Sequence, residues 1–403
     1  MSHAVYLLDR AHTPRTSILY FVSGVVIALL PLFFKTQVKG SLLPDPWRSR
    51  SSWIVSGLKW LAFAWLSAEF IRVGQAIIST YPLNYLQADM MPIIRVMCQR
   101  FLTGKDIYAV IPEIWNNRPI YLPGMWAPFV PFELAGMDIR WGSVAGILLG
   151  LFAVWKIAPT FRQNHWLFLL VAIPAYILSV SIWEEKVERV IRFSEEGVVA
   201  GFYLFLAYAL TRKNPVVIGL AIAGCLLSRY SFLFWVPAYG LYVFFFESRK
   251  QAIWITVTAS VAVLLFFLIP YGFENFSWFA SIPSKYPEFA LQNRKIDPEY
   301  AHVNLGFSKF FSDAQVPFLF RLQLWATAGA PFLLLSLFAV PRIRKSMDPA
   351  MWGLASLKLT LVLFYNLVVV PVGYLFYVNT FLSLALWMYF VRLRFNPAPA
   401  ELA

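Results

Sequence analysis

About eleven apolar runs constrain the fold of this chain more than any other feature. The runs cover residues 17–34, 53–75, 141–157, 166–183, 197–211, 215–228, 231–246, 252–270, 320–341, 350–366 and 373–391. A straight α-helix needs about 20 predominantly apolar residues to cross a bilayer. The pattern predicts an all-α polytopic membrane protein of about 11 transmembrane helices, in a range of about 9 to 13. The count depends most on 197–246, where the runs are short.

The composition agrees with this class of protein. Hydrophobic residues make up 59% of the chain and charged residues 14%, whereas a soluble domain has roughly a quarter charged residues. Cys98 and Cys225 are too few for a disulfide framework, and the four histidines show no metal-ligand spacing. Residues 1–403 therefore predict a single integral-membrane domain, without the internal repeat that inverted-repeat transporters carry.

The net charge of +13 follows from topology and does not indicate a nucleic-acid partner. Lysines and arginines concentrate in alternate, short connections, which the positive-inside rule places in the cytoplasm, next to anionic membrane lipids. The N-terminus is then outside and the C-terminus inside. The long connections, 76–140, 184–196 and 271–319, fall on the predicted exoplasmic side.

The first exoplasmic loop predicts an amphipathic surface helix over 90–102. One face carries Ile93, Ile94, Met97, Phe101 and Leu102 at helical spacing, and Gly104 stands where a C-cap glycine is expected. Asp89 precedes the helix, where the helix dipole favours an ionised carboxylate. Its side chain either caps the helix or serves as a functional charge at the membrane surface.

Proline-rich sequence follows the surface helix. Pro119, Pro123, Pro128 and Pro131 exclude one straight helix, and Tyr121 is a residue type that suits a membrane interface. The segment therefore predicts a broken, partly re-entrant element that leads into the run at 141–157.

The second exoplasmic loop places three cations on roughly one helical face, at Lys186, Arg189 and Arg192. Side chains spaced in this way can clamp a phosphate. The alternative is a self-neutralising surface helix, because five glutamates, including Glu195 and Glu196, surround them.

Two further cations interrupt apolar runs. Arg229 lies within about 30 apolar residues, and a membrane-embedded cation indicates a functional partner such as a lipid phosphate. Snorkelling of Arg229 to the surface is the alternative. Lys358 is the second intramembrane cation, and its partner is not identifiable from the sequence.

The third loop and the last connection carry candidate polar residues. His302 and Asn304 precede an amphipathic stretch from Leu305 to Phe311, although a lone histidine is also common as an ordinary hydrogen-bonded loop residue. Tyr377 stands near the outer end of the last run.

The order of these motifs resembles the C-type glycosyltransferases, most closely their bacterial mannosyltransferase-like branch. Asp89 followed by Gly104-Lys105-Asp106-Ile107-Tyr108 resembles the family's loop aspartate, surface helix and G-x-D/S-x-Y end, and Tyr121-Leu122-Pro123-Gly124 resembles its Y-x-P-P segment. Arg229 stands at the family's lysine. "HVNLGFSKFF" resembles N-x-S-L-x-G at Asn304, and "VVVPVGYLFYVN" resembles the family's segment before the last span.

The resemblance covers roughly residues 80–390, with three departures. Asp89 stands alone, without the acidic pair of some relatives, which puts the use of a metal in doubt. Glu195 and Glu196 replace a Gln/Asn stretch of the family, which puts the sugar specificity in doubt. The run at 17–34 is an extra first span.

The resemblance implies a C-type glycosyltransferase fold in the bacterial inner membrane, with the active site on the periplasmic side. A sugar, with mannose as the best guess, would pass from a polyprenyl-phosphate donor to a lipid-linked or glycan acceptor. Asp89 would be the general base. The donor phosphate would meet Arg229, Arg189, Arg192 and Lys186. The sugar or acceptor would meet Tyr121, Glu195, Glu196, His302, Asn304 and Tyr377.

Attack opposite the phosphate would invert the anomeric centre. One carboxylate then suffices, unlike in glycoside hydrolysis, because phosphate leaves without protonation. The resemblance implies no cofactor and no dedicated metal site. Two other classes stay open: a lipid-linked saccharide flippase or polymerase, which needs cations but no base, and a transporter, which needs polar residues at the bilayer midplane.

Overall fold

A computed structural model describes residues 14–33, 52–157, 188–296, 305–344, 347–369 and 376–395 of the protein. These residues form α-helices with short 3-10 and π segments, and no strand occurs among them. The all-α prediction is confirmed for this part of the chain.

The helices are numbered here in chain order. They are α1 Pro14–Phe33, α2 Ser52–Thr80, α3 Met90–Leu102, α4 Pro123–Trp126, α5 Val130–Leu134, α6 Trp141–Ile157, α7 Glu188–Phe193, α8 Glu196–Arg212, α9 Pro215–Leu226, α10 Val236–Tyr242, α11 Arg249–Val263, α12 Ile269–Ile296, α13 Val316–Phe338, α14 Pro341–Arg344, α15 Pro349–Asn366 and α16 Phe376–Phe395.

Every predicted apolar run that falls on described residues coincides with helical structure; the run at 166–183 lies outside the described residues. Within the described ranges, four helical stretches are long and apolar enough to cross a membrane, namely Pro14–Leu32, Trp60–Thr80, Arg249–Ile282 and Asp313–Phe338. Shorter apolar helices cover Trp141–Ile157, Pro215–Leu226 and Val378–Leu393. The fold is therefore compatible with a membrane protein. The total of about 11 transmembrane helices stays a prediction.

The run at 231–246 is not one regular helix. It divides into a 3-10 turn at Tyr230–Phe234, α10, and a π segment at Val243–Glu247. Arg229 precedes it in extended conformation, with φ −153° and ψ 131°, so helix α9 does not continue through Arg229.

The connection 271–319 contains a helix that the sequence analysis did not predict. α12 passes through a kink at Gly272, whose φ of 72° and ψ of 168° are accessible to glycine, and continues to Ile296. Prolines at 283 and 287 made a helix unexpected, because each lacks a backbone donor. Where an amphipathic stretch was predicted, a 3-10 turn forms at Phe307–Phe310.

Glycines bring α6 and α8 into backbone contact. Gly142, Gly146 and Gly150 recur every fourth residue on α6, and Gly197 and Gly201 do so on α8. A Cβ atom at Gly146 would lie 2.6 Å from the carbonyl oxygen of Gly197, so only glycine permits this approach. Small residues at this spacing are the usual means of close helix packing in membranes. The N-terminus of α8 is thereby held against α6.

The helix predicted over 90–102 is confirmed as α3, Met90–Leu102, whereas its position on a bilayer surface stays a prediction. Gly104 has φ 66°, and the amide of Lys105 donates to the carbonyl of Arg100 at 2.8 Å, which is the Schellman pattern. The apolar face is not exposed to a bilayer. Ile93, Ile94 and Met97 are instead buried against other parts of the chain, in a cluster of apolar side chains called here the second core cluster. Only Phe101 and Leu102 of the predicted stripe are exposed.

The second core cluster consists of the buried apolar side chains of α3 together with residues from three other places. These are the segment 107–139, the ends of α8 and α9, and the stretch 267–279; among its members are Tyr108, Trp126, Phe129, Val198, Leu227 and Phe279. The cluster explains how the loop 76–140 is held, since its turns share a core with helices far along the chain.

Arg140 links the end of the first loop, 76–140, back to its start. Its side chain is buried, and Nη1 and Nη2 donate to the carbonyls of Tyr81 at 2.6 Å and Ile78 at 3.1 Å, at the C-terminal end of α2. Nη2 also pairs with Asp138 Oδ2 at 2.7 Å. Burial by itself raises the pKa of Asp138, but the hydrogen bonds and charge of Arg140 outweigh it and leave that pKa lowered.

Candidate functional site

A buried charge cluster joins three of the predicted site residues. Arg229 Nη2 donates to Glu195 Oε1 at 2.9 Å and also bonds to Glu196 Oε1. The two glutamate side chains are 0% exposed, and that of Arg229 is 13% exposed. One guanidinium is therefore shared by two carboxylates that are out of contact with solvent.

The N-terminus of α8 positions the two carboxylates. Glu195 is the N-cap residue and Glu196 opens the helix, where the helix dipole favours negative charge. The Ser143 hydroxyl of α6 donates to the Ser194 carbonyl at 3.0 Å. The start of α8 is therefore tied to α6 just where the glycines bring the two backbones together.

The turn after α9 positions Arg229. The amide of Gly124, in α4, donates to the carbonyl of Leu227 at 2.8 Å, and Met125 Sδ lies 3.9 Å from Arg229 Nη1. The Ser231 hydroxyl follows, 3.4 Å from the hydroxyl of Tyr365 on α15. The proline-rich segment of the first loop thus contacts the turn that carries Arg229.

The cluster contains one more negative than positive group among the three side chains. Oε2 of Glu195 and Oε2 of Glu196 are buried and accept no hydrogen bond within the described structure. Burying ions in this way costs several kcal/mol per ion unless each is compensated. Arg229 is therefore needed to keep the pair buried, whatever else it does.

The contacts in this cluster limit how Arg229 could bind a donor phosphate and how Glu195 and Glu196 could bind a sugar. In this conformation the guanidinium of Arg229 faces carboxylates, so a donor phosphate would have to displace or join them. Glu195 and Glu196 are fully buried, so a sugar would reach them only after a movement of α4 or α8. The phosphate role of Arg229 and the sugar roles of the glutamates stay predictions.

Asp89 does not cap α3. It occupies the N-cap position with φ −86° and ψ −19°, and its side chain accepts no capping hydrogen bond. The capping interpretation is therefore wrong for the carboxylate. Partial burial raises the pKa of Asp89 above the ordinary value of 3.8, and a hydrogen bond to its own backbone offsets this only in part. A carboxylate in such surroundings accepts a proton more readily.

Arg192 links the second loop to the segment that enters α3. Its Nη2 donates to Gln87 Oε1 at 2.6 Å, its Nη1 to Glu188 at 2.9 Å, and its guanidinium lies 3.8 Å from the Tyr81 ring centre. Gln87 is two residues before Asp89, so Arg192 and Asp89 belong to the same end of the molecule. The ion pair with Glu188 agrees with the self-neutralising alternative for this helix.

The remaining predicted site residues are not brought into the cluster by any described contact. Arg189 is exposed on α7, and Tyr121 is 6% exposed within the second core cluster. Tyr377 lies at the start of α16, and its side chain is not among those described. Lys186, His302 and Asn304 lie outside the described residues.

Sequence reasoning missed three features. Arg140 could have been suspected from its Asp138-x-Arg140 spacing at the start of a span, and the α6–α8 contact from its repeated G-x-x-x-G. The partner of Lys358 is Asn379, whose backbone carbonyl accepts from Nζ at 2.6 Å between α15 and α16. No local signal identifies Asn379, which lies 21 residues further along the chain.

The described residues show no metal site, and comparison with known proteins gives no match. The described residues contain no group of three or more His, Cys, Asp or Glu side chains that could hold a metal ion. No protein-family model matches the chain, and no significant match occurs among curated proteins or solved structures. Its function therefore has to be inferred from the chemistry of its own residues.

Proposed function

We propose that the protein is an integral-membrane glycosyltransferase that uses a polyprenyl-phosphate sugar, with mannose as the best guess. The proposal places the exoplasmic loops on the periplasmic side of a bacterial inner membrane, where a lipid-linked or glycan hydroxyl is the acceptor. It rests on the resemblance of the motif order to C-type glycosyltransferases and on the long apolar helices.

The observation that carries the proposal is the carboxylate of Asp89, which makes no capping hydrogen bond to α3. A partly buried carboxylate that caps nothing, at the head of a helix in the longest loop, is suited to general-base catalysis. Asp89 removes the proton of the acceptor hydroxyl, whose oxygen attacks the anomeric carbon. The bond from that carbon to the phosphate oxygen breaks, and the phosphate leaves with the electron pair.

Sugar transfer by the full-length protein in nanodiscs tests the proposal. Radiolabelled polyprenyl-phosphate mannose and glucose are supplied with a membrane lipid extract as acceptor. We expect Asp89→Asn, which is nearly isosteric, to lower the rate by about 100-fold or more. Glu113→Gln is the matched control, because Glu113 is an exposed carboxylate of the same loop and we expect its loss to leave the rate unchanged.

Two outcomes would contradict the proposal at different points. Normal transfer by a folded Asp89→Asn variant would remove Asp89 as the base and leave the transferase intact. Absence of transfer by wild-type protein with either sugar would remove the donor or the activity itself.

The buried ionisable groups favour one alternative, a lipid-linked saccharide flippase or polymerase. Charged groups inside a helical membrane bundle commonly mark a transport pathway, and Lys358 and the Arg229 cluster are both buried. Translocation of a labelled polyprenyl-linked sugar across proteoliposomes, without sugar transfer, would support this alternative.

A further inference from the structure

The indole ring of Trp278, on α12, has two positive charges beside it. The guanidinium carbon of Arg118 lies 4.6 Å from the ring centre, and Nζ of Lys285 lies 4.7 Å from it. Arg118 comes from the first loop, and Lys285 is two helical turns after Trp278 on the same helix. Two connections that are remote in sequence therefore converge on one aromatic platform.

The side chains of Arg118, Lys285 and Trp278 offer hydrogen-bond donors that have few acceptors near them. Neither Arg118 nor Lys285 forms an ion pair with a carboxylate of the described residues. Arg118 makes one long hydrogen bond, to Asn275 Oδ1 at 3.4 Å, and the buried indole N–H of Trp278 has no acceptor within the described structure. Arginine, lysine and indole side chains donate and do not accept. An anion is the ligand that such a set matches.

The position of the group indicates where the anion comes from. α12 continues one of the long apolar stretches past the kink at Gly272. Just beyond the kink, Phe273 is 72% exposed and Phe276 is 43% exposed. Exposed aromatic side chains next to cations at the end of an apolar helix are typical of the boundary between acyl chains and headgroups.

We infer that Arg118, Lys285 and Trp278 bind the phosphate of a lipid at the edge of the bilayer. The guanidinium can present two parallel N–H groups to phosphate oxygens, and the ammonium adds a compact charge. Trp278 holds both cations in place through its ring face. Arg229 does not compete for this role, because two carboxylates already occupy its guanidinium.

Lipid binding by the full-length protein tests the inference. Native mass spectrometry of detergent-solubilised protein, titrated with phosphatidylglycerol and with phosphatidylcholine, yields a Kd for each lipid. We expect tighter binding of phosphatidylglycerol. The double variant Arg118→Gln, Lys285→Gln should weaken it about tenfold or more, which corresponds to about 1.4 kcal/mol. Phosphatidylcholine binding should change less, because its choline cation offsets the charge of its phosphate.

The control removes the same charge from the same two connections. Lys105→Gln with Lys295→Gln replaces two exposed lysines and should leave the phosphatidylglycerol Kd within about twofold of wild type, a shift well under the 1.4 kcal/mol of a tenfold change. Thermal melting of both double variants checks that they are folded. Equal Kd values for wild type and the Arg118, Lys285 variant, or equal losses in both double variants, would overturn the inference.

Competition identifies the source of the phosphate. Displacement of phosphatidylglycerol by polyprenyl phosphate would assign the site to the lipid donor, and in that case the inference deepens the proposed transferase. Binding of phosphatidylglycerol that resists polyprenyl phosphate would assign it to a membrane phospholipid. Displacement by inorganic phosphate at equal concentration would overturn the lipid assignment. Because binding is measured without turnover, the result is independent of whether the protein transfers sugar.

Discussion

Arg229 is the counter-charge of two carboxylates that have no contact with solvent. At the scale of single residues, its energetic role differs from that of its partners. Removing either glutamate leaves a one-to-one pair, whereas removing the arginine leaves two buried negative charges. The three positions therefore predict an asymmetric response to substitution.

Arg229→Gln should lower stability by about 3–5 kcal/mol, the range for breaking a buried ion pair from one side. Glu195→Gln and Glu196→Gln, each made alone, should cost clearly less. Thermal melting of the purified protein in one detergent compares the three. Glutamine variants as destabilised as Arg229→Gln would show that both carboxylates are required together.

The raised pKa of Asp89 predicts how the activity of the protein should fall at low pH. Burial raises the pKa of Asp89 above 3.8, and only the ionised carboxylate can accept a proton. If Asp89 is the base, kcat/KM should therefore fall as the pH is lowered through this raised pKa, at a pH above 3.8. A pH–rate profile measures it, and a limb at or below the ordinary aspartate value would exclude Asp89 as the base.

Asp138 predicts a loss of stability in acid. Its folded pKa is lowered by Arg140, so the ion pair stabilises the protein fully above the ordinary value of 3.8 and is lost as the pH falls through the lowered pKa. Melting temperatures at neutral pH and at about pH 3 should diverge more for wild type than for Asp138→Asn. Parallel acid losses in the two proteins would contradict this.

At the scale of elements, the contact between α6 and α8 decides where the acidic pair lies. Backbone meets backbone because glycines line both helices, so the position of Glu195 and Glu196 depends on residues that carry no side chain. The first loop is held in the same indirect way, by the Gly124 to Leu227 hydrogen bond and the Arg140 contacts with α2.

Gly146→Ala should destabilise the protein by about 1–3 kcal/mol, the usual cost of overpacking, because its Cβ would lie 2.6 Å from the Gly197 carbonyl oxygen. Gly57→Ala is the matched control on α2, since nothing lies within 4 Å of a Cβ there. The control should be neutral or stabilising by up to about 1 kcal/mol, because alanine favours helix more than glycine does. Chemical or thermal unfolding compares the two, and equal effects would contradict the close approach of the helices.

At the scale of the whole molecule, charge distribution predicts orientation. Basic connections such as the one at Lys213 alternate with the long loops, so the positive-inside rule places the two sets on opposite sides. The functional assignment for Asp89 depends on the long loops being exoplasmic.

Labelling with a membrane-impermeant maleimide tests this orientation in intact cells. A cysteine at an exposed position of the first loop, Glu113→Cys, should react from outside, and Lys213→Cys should react only after permeabilisation. The native Cys98 and Cys225 are buried and provide the unreactive background. The reverse pattern would invert the topology and place Asp89 in the cytoplasm.

The sequence by itself determined the class of structure and several local details. Apolar runs, helical periodicity and Gly104 are local signals, and they predicted the helical segments and the bounds of α3. Only the tertiary structure decided which charges meet. Arg229 and Glu195 are 34 residues apart, and Arg118 and Lys285 reach one ring from separate loops. Such pairs form because packed helices bring distant residues together, and no periodicity within a single segment encodes which partner a buried charge will find.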